Sequence, residues 1–383
     1  MIHPFLRGVE ILATAGAIAS IVYYAVCLWS AARFLHDRPV HEANDPPVSI
    51  LKPLKGTDPK MYECFRSHCL QDYASYEIIF GVSDTNDPAI ELVKRLQKEF
   101  PHHAIQLVHG SQILGSNTKV SNLVQMLPHA RYEYLIVNDS DIRVPPDYLR
   151  RVIASLSRSE TGLVTCPYFG VSNETLGSKL ESLGISTDFL PGVLVARNME
   201  SIKFGLGSTL AFRRRDLESI GGFEVLLDYL ADDYEIGRRI AERGMHVELS
   251  DIVVESVLPH YTIAEFFAHQ LRWARTIKNV RLWGYIGLVF TFGIPWALLA
   301  LILARGAIWS WVLLAITVAM RFGVAAFVSR KVLGDSQARM LWLLPVRDVL
   351  ALCVWLTSFT GRTVTWRGTS YTLKEGKLAR TAY

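Results

Sequence analysis

The sequence predicts an α/β protein in which helices flank a mostly parallel sheet, with transmembrane helices at both ends of the chain. Three observations predict this class. Half of the 383 residues are hydrophobic and the mean hydropathy is +0.22, which is unusual for a purely soluble protein. The long uncharged stretches lie near the two ends of the chain. Between them, strand-like and helix-like segments alternate, as is typical of a parallel sheet.

The composition also excludes other classes of protein. The 40 lysines and arginines nearly balance the 36 aspartates and glutamates, and the net charge of +4 is too small to indicate a nucleic-acid partner. The high apolar content excludes an intrinsically disordered chain. The five cysteines are scattered and contain no CxxC pair, so we interpret them as free thiols rather than as a disulfide framework or a zinc site.

The first apolar segment, residues 11–32, contains 22 residues and no charge. A helix needs about 20 residues to cross the hydrocarbon core of a bilayer. The segment is too long for the core of a signal peptide, and no convincing small-residue cleavage site accompanies it. We therefore assign residues 1–35 to a retained transmembrane anchor.

Two further apolar segments follow in the second half of the chain. Residues 282–304 carry no charge, and residues 306–329 are interrupted only by Arg321. An arginine inside a span is costly, so we expect Arg321 to face protein or to reach toward the membrane surface. These two segments predict two spans.

The last apolar segment, residues 340–360, contains Arg347 and Asp348 side by side. Two adjacent charges favour a re-entrant or interfacial segment over a plain span. We therefore predict a membrane region over residues 281–361 with two spans and one segment that does not cross. A model with four spans is the alternative.

The positive-inside rule predicts the orientation. Basic residues follow the first segment, precede the second, follow the third and recur in the tail. Those nearest to the segments are Arg33, Arg38, Arg272, Arg275, Lys278, Arg281, Arg330, Lys331 and Arg339. The simplest topology places residues 36–280 in the cytoplasm as one domain, followed after the membrane region by a basic cytoplasmic tail over residues 362–383.

Acidic residues follow two of the predicted strands in this middle domain. Asp84 ends the predicted strand YEIIFGVSD (76–84), and Asp139 and Asp141 lie at the end of the predicted strand YEYLIVNDSD. In open parallel sheets, ligands bind beyond the carboxyl ends of the strands. Two carboxylates one residue apart can hold a hard divalent cation together with diphosphate oxygens. Taken alone, an acidic turn explains the Asp139–Asp141 pair better, and an Asx turn explains Asp84 better.

Two more motifs lie between these strands and the membrane region. Asp232 and Asp233 begin a predicted helix, where acidic residues ordinarily complement the helix dipole. Arg272 and Trp273 lie on an amphipathic basic helix next to the second apolar segment, where such residues ordinarily anchor a protein at the membrane surface. Each motif is weak alone, but the ordered set is much less expected by chance.

As a set, these motifs resemble processive and lipid-directed glycosyltransferases of the GT-A fold, whose signature is D, DxD, D and (Q/R)xxRW. More closely, the chain resembles the ceramide glucosyltransferase family, glycosyltransferase family 21, and its bacterial branch, which includes a hopanoid-modifying sugar transferase. The matching segments are VSILKPLKG (48–56), SDTNDPAI (83–90), SNTKVSNL (116–123), LADDYEIG (230–237) and HQLRWAR (269–275). His269 departs from the pattern, which has Gln or Arg at this position.

The resemblance implies a UDP-sugar donor and a divalent metal, Mg²⁺ or Mn²⁺. Asp139 and Asp141 would hold the metal against the diphosphate. Lys119 would meet the diphosphate as a point charge. The residues implied in nucleotide binding are Pro53, Leu54, Lys55 and Asp84.

The resemblance also implies the catalytic residues. Asp233 would act as the general base that takes the proton of the acceptor hydroxyl, and Asp232 is the less favoured base. Arg272 would help to hold the diphosphate, and Trp273 would close the acceptor side. A single in-line displacement would invert an α-linked donor to a β-glycoside.

The acceptor implied is a lipid hydroxyl, of a ceramide or hopanoid-type lipid, with glucose or N-acetylglucosamine as the sugar. The segment 184–207 is either an acceptor-side gate or a buried crossover between strands. The implied location is the bacterial inner membrane with the catalytic domain facing the cytoplasm. Alternatives are a processive polysaccharide synthase, which usually needs more spans, and an inactive lipid-binding scaffold.

Overall fold

The fold is described from a computed structural model, over residues 4–37, 45–334, 336–366 and 369–380. Arg38, Arg367 and the last three residues of the predicted tail lie outside these ranges. The α-helices of the described ranges are α1 (Pro4–His36), α2 (Met61–Cys69), α3 (Ala89–Glu99), α4 (Thr118–Met126), α5 (Tyr148–Leu156), α6 (Leu176–Gly184), α7 (Leu190–Met199), α8 (Arg214–Ser219), α9 (Asp232–Glu242), α10 (Ile263–Val280), α11 (Leu282–Gly287), α12 (Gly293–Leu303), α13 (Ile308–Phe327) and α14 (Leu344–Ser358). The strands are β1 (Val48–Leu54), β2 (Tyr76–Val82), β3 (Ala104–His109), β4 (Tyr134–Val137), β5 (Ile142–Arg143), β6 (Thr161–Thr165), β7 (Tyr168–Val171), β8 (Leu210–Arg213), β9 (His246–Leu249), β10 (Val254–Val257), β11 (Thr363–Trp366), β12 (Thr369–Lys374) and β13 (Lys377–Arg380).

The chain divides into two units, which we name by their main elements. The sheet unit comprises the described residues of Arg38–Asn173, Met199–His260 and Ser370–Tyr383. The helical unit comprises those of Met1–Asp37, Glu174–Asn198 and Tyr261–Thr369. The predicted domain boundaries run consecutively along the sequence, whereas each observed unit is assembled from three separate stretches of chain.

The core of the sheet unit is a seven-stranded sheet with the strand order β3-β2-β1-β4-β8-β6-β9. The pairs β1–β2, β2–β3, β1–β4 and β6–β9 are parallel, and only β8 runs antiparallel to its neighbours. The predicted mostly parallel α/β sheet is therefore confirmed. A smaller sheet has the order β5-β10-β7.

The central position of β1 follows from its composition. All seven of its residues are buried, as expected for a strand that is covered on both faces. Leu51 pairs with Val137 at the end of β4, and Leu54 pairs with Val82 at the end of β2. Because these strands are parallel, the loops that carry Lys55, Asp84 and the Asp139–Asp141 pair all leave from the same edge of the sheet.

The helical unit contains three helices that are long and apolar enough to cross a membrane, within the described residues. They are Pro4–His36, Ile308–Val332 and Arg339–Ser358. The pair α11 and α12, with a short 3₁₀ turn between them, is bent by 55° and forms either a broken span or a re-entrant loop. Only as a broken span would it raise the number of spans to four. The bend thus lies in the second apolar segment, residues 282–304, whereas the sequence predicted a re-entrant or interfacial segment at the fourth, residues 340–360.

Side chains of α1 satisfy the backbone at this bend. Ser20 Oγ donates a hydrogen bond to the Phe290 carbonyl (2.7 Å), and Tyr24 Oη donates to that of Thr291 (2.8 Å). A backbone carbonyl at membrane depth is costly unless protein satisfies it. The hydroxyls on α1 therefore stabilise an interruption that an apolar sequence would not otherwise tolerate.

Candidate functional site

Four aspartates of the sheet unit, Asp139, Asp141, Asp232 and Asp233, form what we call the acidic cluster. Lys119, near the start of α4, joins two of them, because its Nζ lies 2.8 Å from Asp139 Oδ1 and 3.2 Å from Asp232 Oδ2. Burial alone would lower the pKa of Lys119, but the carboxylates of Asp139 and Asp232 outweigh it and hold the pKa above its ordinary value. The structure thus brings together three motifs that are far apart in the sequence.

Gly207 lies between two of these carboxylates. A Cβ atom at this position would lie 3.0 Å from Asp139 Oδ2 and 3.4 Å from Asp233 Oδ2. A side chain would therefore crowd Asp139, and glycine lets both carboxylates border the same open face. Sequence reasoning missed Gly207, because nothing in the local pattern marks it.

Asp141 is held from behind by the smaller sheet. Ser256 Oγ on β10 donates a 2.5 Å hydrogen bond to Asp141 Oδ2. Burial, and then the neighbouring Asp139 carboxylate, raise the pKa of Asp141 to about 6. The site therefore concentrates more negative charge than its own cations neutralise.

Asp233 lies in the first turn of α9, with its Oδ1 accepting a hydrogen bond from the Tyr234 backbone (2.8 Å). Burial, and then the Asp232 carboxylate beside it, raise the pKa of Asp233 to about 6. Asp232 itself is buried and ion-paired to Lys119. The two adjacent aspartates therefore differ in surroundings: Asp232 holds a lysine, whereas Asp233 Oδ2 lies at the glycine face.

A buried polar layer lies beneath the acidic cluster, and sequence reasoning missed it. Lys52 on β1 is fully buried, and its Nζ donates to the Asp139 carbonyl (3.0 Å) and lies 3.5 Å from His68 Nε2. Cys64 Sγ donates to the Asp141 carbonyl (3.3 Å). The backbone of both predicted metal ligands is thus held by side chains from β1 and α2.

The residues predicted for the nucleotide lie at the carboxyl ends of β1 and β2. Pro53 and Leu54 are buried in β1, whereas Lys55 and Asp84 are exposed. Asp84 Oδ1 accepts a hydrogen bond from the Asn86 backbone (2.9 Å), the local turn that the sequence offered as the plainer interpretation. Their roles toward a nucleotide remain predictions.

The loop before the acidic residues of α9 is clamped on two sides. Asn117 Nδ2 donates to the Tyr229 carbonyl (2.7 Å), and the Ser116 backbone donates to Asp228 Oδ1 (3.0 Å). On the other side lies the hairpin of β12 and β13. The Leu230 N–H donates a hydrogen bond to the Gly376 carbonyl (3.3 Å), and the Leu378 N–H donates one to the Asp228 carbonyl (2.7 Å). The end of the chain, predicted only as a basic tail, therefore supports this loop.

Arg272 and Trp273 lie on α10 of the helical unit, where the predicted amphipathic helix is confirmed. Trp273 lies between two rings, 5.8 Å from Phe189 and 5.3 Å from His269. His269 in turn stacks on Tyr261 (5.3 Å). His269, at the position where the motif has Gln or Arg, is therefore part of a row of ring contacts that we call the aromatic row: Tyr261, His269, Trp273 and Phe189.

Asp139 and Asp141 fit the surroundings that Mg²⁺ or Mn²⁺ requires. Magnesium in particular usually keeps several waters and is bound through one or two carboxylates together with substrate phosphates. Within the described residues, no group of three or more His, Cys, Asp or Glu side chains is arranged to hold a metal ion. The donor set therefore suits a cation shared with phosphate oxygens and not a cage made by protein alone.

Comparison with known structures defines the class of fold. The chain is similar to the mannosyltransferase PcManGT from Pyrobaculum calidifontis, solved in complex with GDP-Man and Mn²⁺, with a TM-score of 0.59 and 22% identity. The similarity covers 92% of this chain and 99% of that chain. At this identity it shows the fold alone, which is a GT-A-like glycosyltransferase fold.

The family follows from the sequence profile of glycosyl transferase family 21, which matches residues 12–379, and the chain belongs to this family. The chain is 27% identical over 242 residues to ceramide glucosyltransferase 3 of Caenorhabditis elegans, covering 63% of this chain and 52% of the relative. It is 26% identical over 278 residues to ceramide glucosyltransferase 1 of the same organism, covering 72% and 59%. The matches thus span little more than half of the length of these relatives.

Proposed function

We propose that the protein transfers a single hexose, glucose or N-acetylglucosamine, from a UDP-sugar to a hydroxyl of a ceramide or hopanoid-type lipid. One observation carries the proposal: Asp139 and Asp233 border the same face of Gly207, while Lys119 ties Asp139 to Asp232. The nearness of the two carboxylates to Gly207 supports the proposal that Asp233 accepts a proton while Asp139 holds a diphosphate-bound cation. Membership of family 21 and the apolar helices support a lipid acceptor.

Asp233 acts as the general base in this proposal. As the acceptor oxygen attacks the anomeric carbon, the O–H proton passes to Asp233 Oδ2, and the bond from that carbon to the UDP oxygen breaks. The products are a β-glycoside and UDP. Although the pKa of Asp233 is raised to about 6, it remains below neutral pH, so the carboxylate is mostly ionised there and is a better proton acceptor than an exposed aspartate.

Asp139 and Asp141 would hold Mg²⁺ or Mn²⁺, which would supply positive charge for the leaving diphosphate. Lys119 supplies a second positive charge at Asp139. Pro53, Leu54, Lys55 and Asp84 would line the nucleotide at the ends of β1 and β2. Arg272 and Trp273 would serve the diphosphate and the acceptor.

The proposed location is the bacterial inner membrane, with the sheet unit in the cytoplasm. The basic residues flanking the apolar segments support this orientation through the positive-inside rule. The UDP-sugar donor, which is made in the cytoplasm, is compatible with it.

A donor-by-acceptor panel with the purified full chain tests the proposal. UDP-glucose, UDP-N-acetylglucosamine and UDP-galactose are combined with ceramide, a hopanoid polyol and diacylglycerol, and the lipid products are analysed by mass spectrometry. We expect one hexose on a ceramide or hopanoid, and loss of product in EDTA with recovery on adding Mn²⁺ or Mg²⁺. A polymeric product would indicate a polysaccharide synthase instead. The absence of any glycosylated lipid would contradict the proposal.

A further inference from the structure

The helical unit contains its own group of charges, which we call the polar cluster: the buried Glu181, Arg321, Arg347 and Asp348, and the partly exposed Asp188. Arg321 on α13 is 3% exposed and is well paired. It donates to both carboxylate oxygens of Asp348 on α14 (2.6 to 3.2 Å) and also to Asp188 Oδ1. Because an arginine in an apolar helix is costly, this pairing explains how Arg321 is accommodated.

Arg347 is buried just as deeply but is not paired in the same way. Its guanidinium lies against Gly184, where a Cβ atom would come within 2.5 Å of Nη2. Nη2 donates to Gln270 Oε1 (3.0 Å) and lies 3.4 Å from Asp188 Oδ2. Its Nε and Nη1 have no hydrogen-bond partner within the described residues, although the residue is only 5% exposed.

Two other buried atoms beside Arg347 also lack hydrogen-bond partners in the part of the chain that the structure describes. They are Asp188 Oδ2 and His269 Nδ1, the latter lying 3.3 Å from Glu181 Oε1. Buried polar atoms are almost always hydrogen-bonded, so a concentration of unpartnered ones requires an explanation. Here the guanidinium offers donors and the Asp188 carboxylate offers an acceptor, side by side.

An aromatic row adjoins these polar atoms. Phe189, next to Asp188 in sequence, contacts Trp273, which contacts His269, and His269 stacks on Tyr261. The side chain of Asp188 is 34% exposed and that of His269 is 19% exposed, so the polar cluster is not sealed off. The site therefore combines hydrogen-bonding groups with apolar ring surfaces, as the head of an amphiphile requires.

The charges of the polar cluster select the kind of head. The two arginines and three carboxylates of the polar cluster sum to a net charge of −1, and His269 lies beside Glu181. Burial alone would raise the pKa of Glu181, but His269 and Arg347 outweigh it and lower the pKa. A phosphate head would bring further negative charge next to the carboxylates of Asp188 and Asp348, whereas an uncharged head with hydroxyl groups would not.

We propose that Asp188 and Arg347 form the binding site for the uncharged polar head of the lipid acceptor. Asp188 Oδ2 accepts a hydrogen bond from a hydroxyl of the head, and Arg347 donates to a carbonyl or hydroxyl oxygen. The aromatic row contacts the apolar part next to the head. This inference rests on the proposed lipid-transfer function and deepens it by assigning the acceptor site.

Binding of a fluorescent short-chain ceramide to the full chain in nanodiscs tests the inference, with a hopanoid polyol as competitor. Asp188→Asn and Arg347→Gln are compared with Arg330→Gln, which neutralises an exposed arginine of the same unit. We expect the ceramide dissociation constant to rise about tenfold or more in Asp188→Asn and in Arg347→Gln, because each of these two variants loses a hydrogen bond between a charged group and the lipid head. The constant should be unchanged in Arg330→Gln. The dissociation constant for UDP should stay at the wild-type value in all three, which a general structural role would not allow.

Several outcomes would overturn the inference. They are wild-type ceramide affinity in Asp188→Asn, a parallel loss of UDP binding, no binding of ceramide or hopanoid to the wild type, and displacement of ceramide by phosphatidic acid. Asp188→Asn decides alone if Arg347→Gln does not fold. The proposed function is separable: ceramide binding without any glycolipid product contradicts the proposed function and leaves the inference standing. Product formation with normal ceramide binding in both variants contradicts only the inference.

Discussion

The acidic cluster of the sheet unit and the polar cluster of the helical unit both gather charged side chains, but in different balance. In the acidic cluster, four aspartates face two lysines, Lys52 and Lys119, and the pKa values of Asp141 and Asp233 are raised to about 6. In the polar cluster, two arginines face three carboxylates and most of the groups are paired directly.

This difference indicates what each region is built to receive. An excess of negative charge beside a lysine is stabilised by a divalent cation with its diphosphate, since the cation neutralises the carboxylates. A nearly balanced cluster with unpartnered hydrogen-bonding atoms is instead satisfied by an uncharged polar group. The comparison therefore supports both proposals, the donor site in the sheet unit and the site for the acceptor head in the helical unit.

The largest effect is expected for Asp233→Asn, which removes the proposed general base from the acidic cluster. Loss of the base should lower turnover by roughly 10²- to 10⁴-fold, whereas UDP binding should not weaken. Turnover is measured as glycolipid formed per minute, and UDP binding by calorimetry. Glu242→Gln, an exposed carboxylate on the same helix, serves as the control and should retain wild-type turnover. Normal turnover in Asp233→Asn would show that another group takes the proton.

A smaller effect is expected for Lys52→Met, which tests whether the hydrogen bond from Lys52 to the Asp139 carbonyl positions Asp139 in the acidic cluster. Burial lowers the pKa of Lys52 to about 8, and the methionine leaves the Asp139 carbonyl without this donor, so the free energy of unfolding should fall by about 1–3 kcal/mol. Without the hydrogen bond to the Asp139 carbonyl, the half-saturating Mn²⁺ concentration should rise about tenfold. Mn²⁺ binding is followed by electron paramagnetic resonance, without turnover.

The exposed Lys98→Met is the matched control for this prediction, because it removes a lysine charge from the surface of α3. It should leave Mn²⁺ binding unchanged. If Lys52→Met also bound Mn²⁺ normally, Lys52 would contribute only to packing.

The smallest effect is expected from the C-terminal hairpin, which supports the loop before Asp232. Deleting residues 370–383 removes the backbone bonds to Asp228 and Leu230. Turnover should fall by about three- to tenfold, less than the roughly 100-fold loss that accompanies a displacement of 1 Å. Ceramide affinity should not change, since the hairpin belongs to the sheet unit. Deletion of residues 381–383 alone is the control. Equal turnover in the two deletions would show that the hairpin does not support the loop before Asp232.

The sequence predicted those parts of the fold and site that depend on local patterns. The alternation of strands and helices predicted the mostly parallel sheet, and the uncharged stretches predicted the apolar helices. Asp84 and the Asp139–Asp141 pair were singled out because they lie just beyond the ends of β2 and β4. Lys119 and Asp233 were singled out through the ordered motifs of a family, since neither is distinctive alone, and the roles of all five residues remain predictions.

The parts that the sequence did not predict depend on pairs that are distant along the chain. Lys52 lies inside an apolar strand, and its partner carbonyl is 87 positions away. Arg321 appeared as a single charge in one apolar segment and Asp348 appeared next to Arg347 in another, and only the structure shows that Arg321 and Asp348 are paired. Nothing in the neighbouring sequence marks Gly207, because the reason for a glycine there is the closeness of two carboxylates, Asp139 and Asp233, that are distant along the chain.

The measurement that tests the account most directly is a matrix of two ligands against two variants of the full chain. The dissociation constants of UDP with Mn²⁺ and of short-chain ceramide are determined for Asp139→Asn and for Asp188→Asn. We predict that Asp139→Asn weakens only UDP binding and that Asp188→Asn weakens only ceramide binding. If each variant weakened both ligands equally, or if Asp188→Asn weakened UDP instead, the assignment of donor and acceptor to the two regions would be wrong.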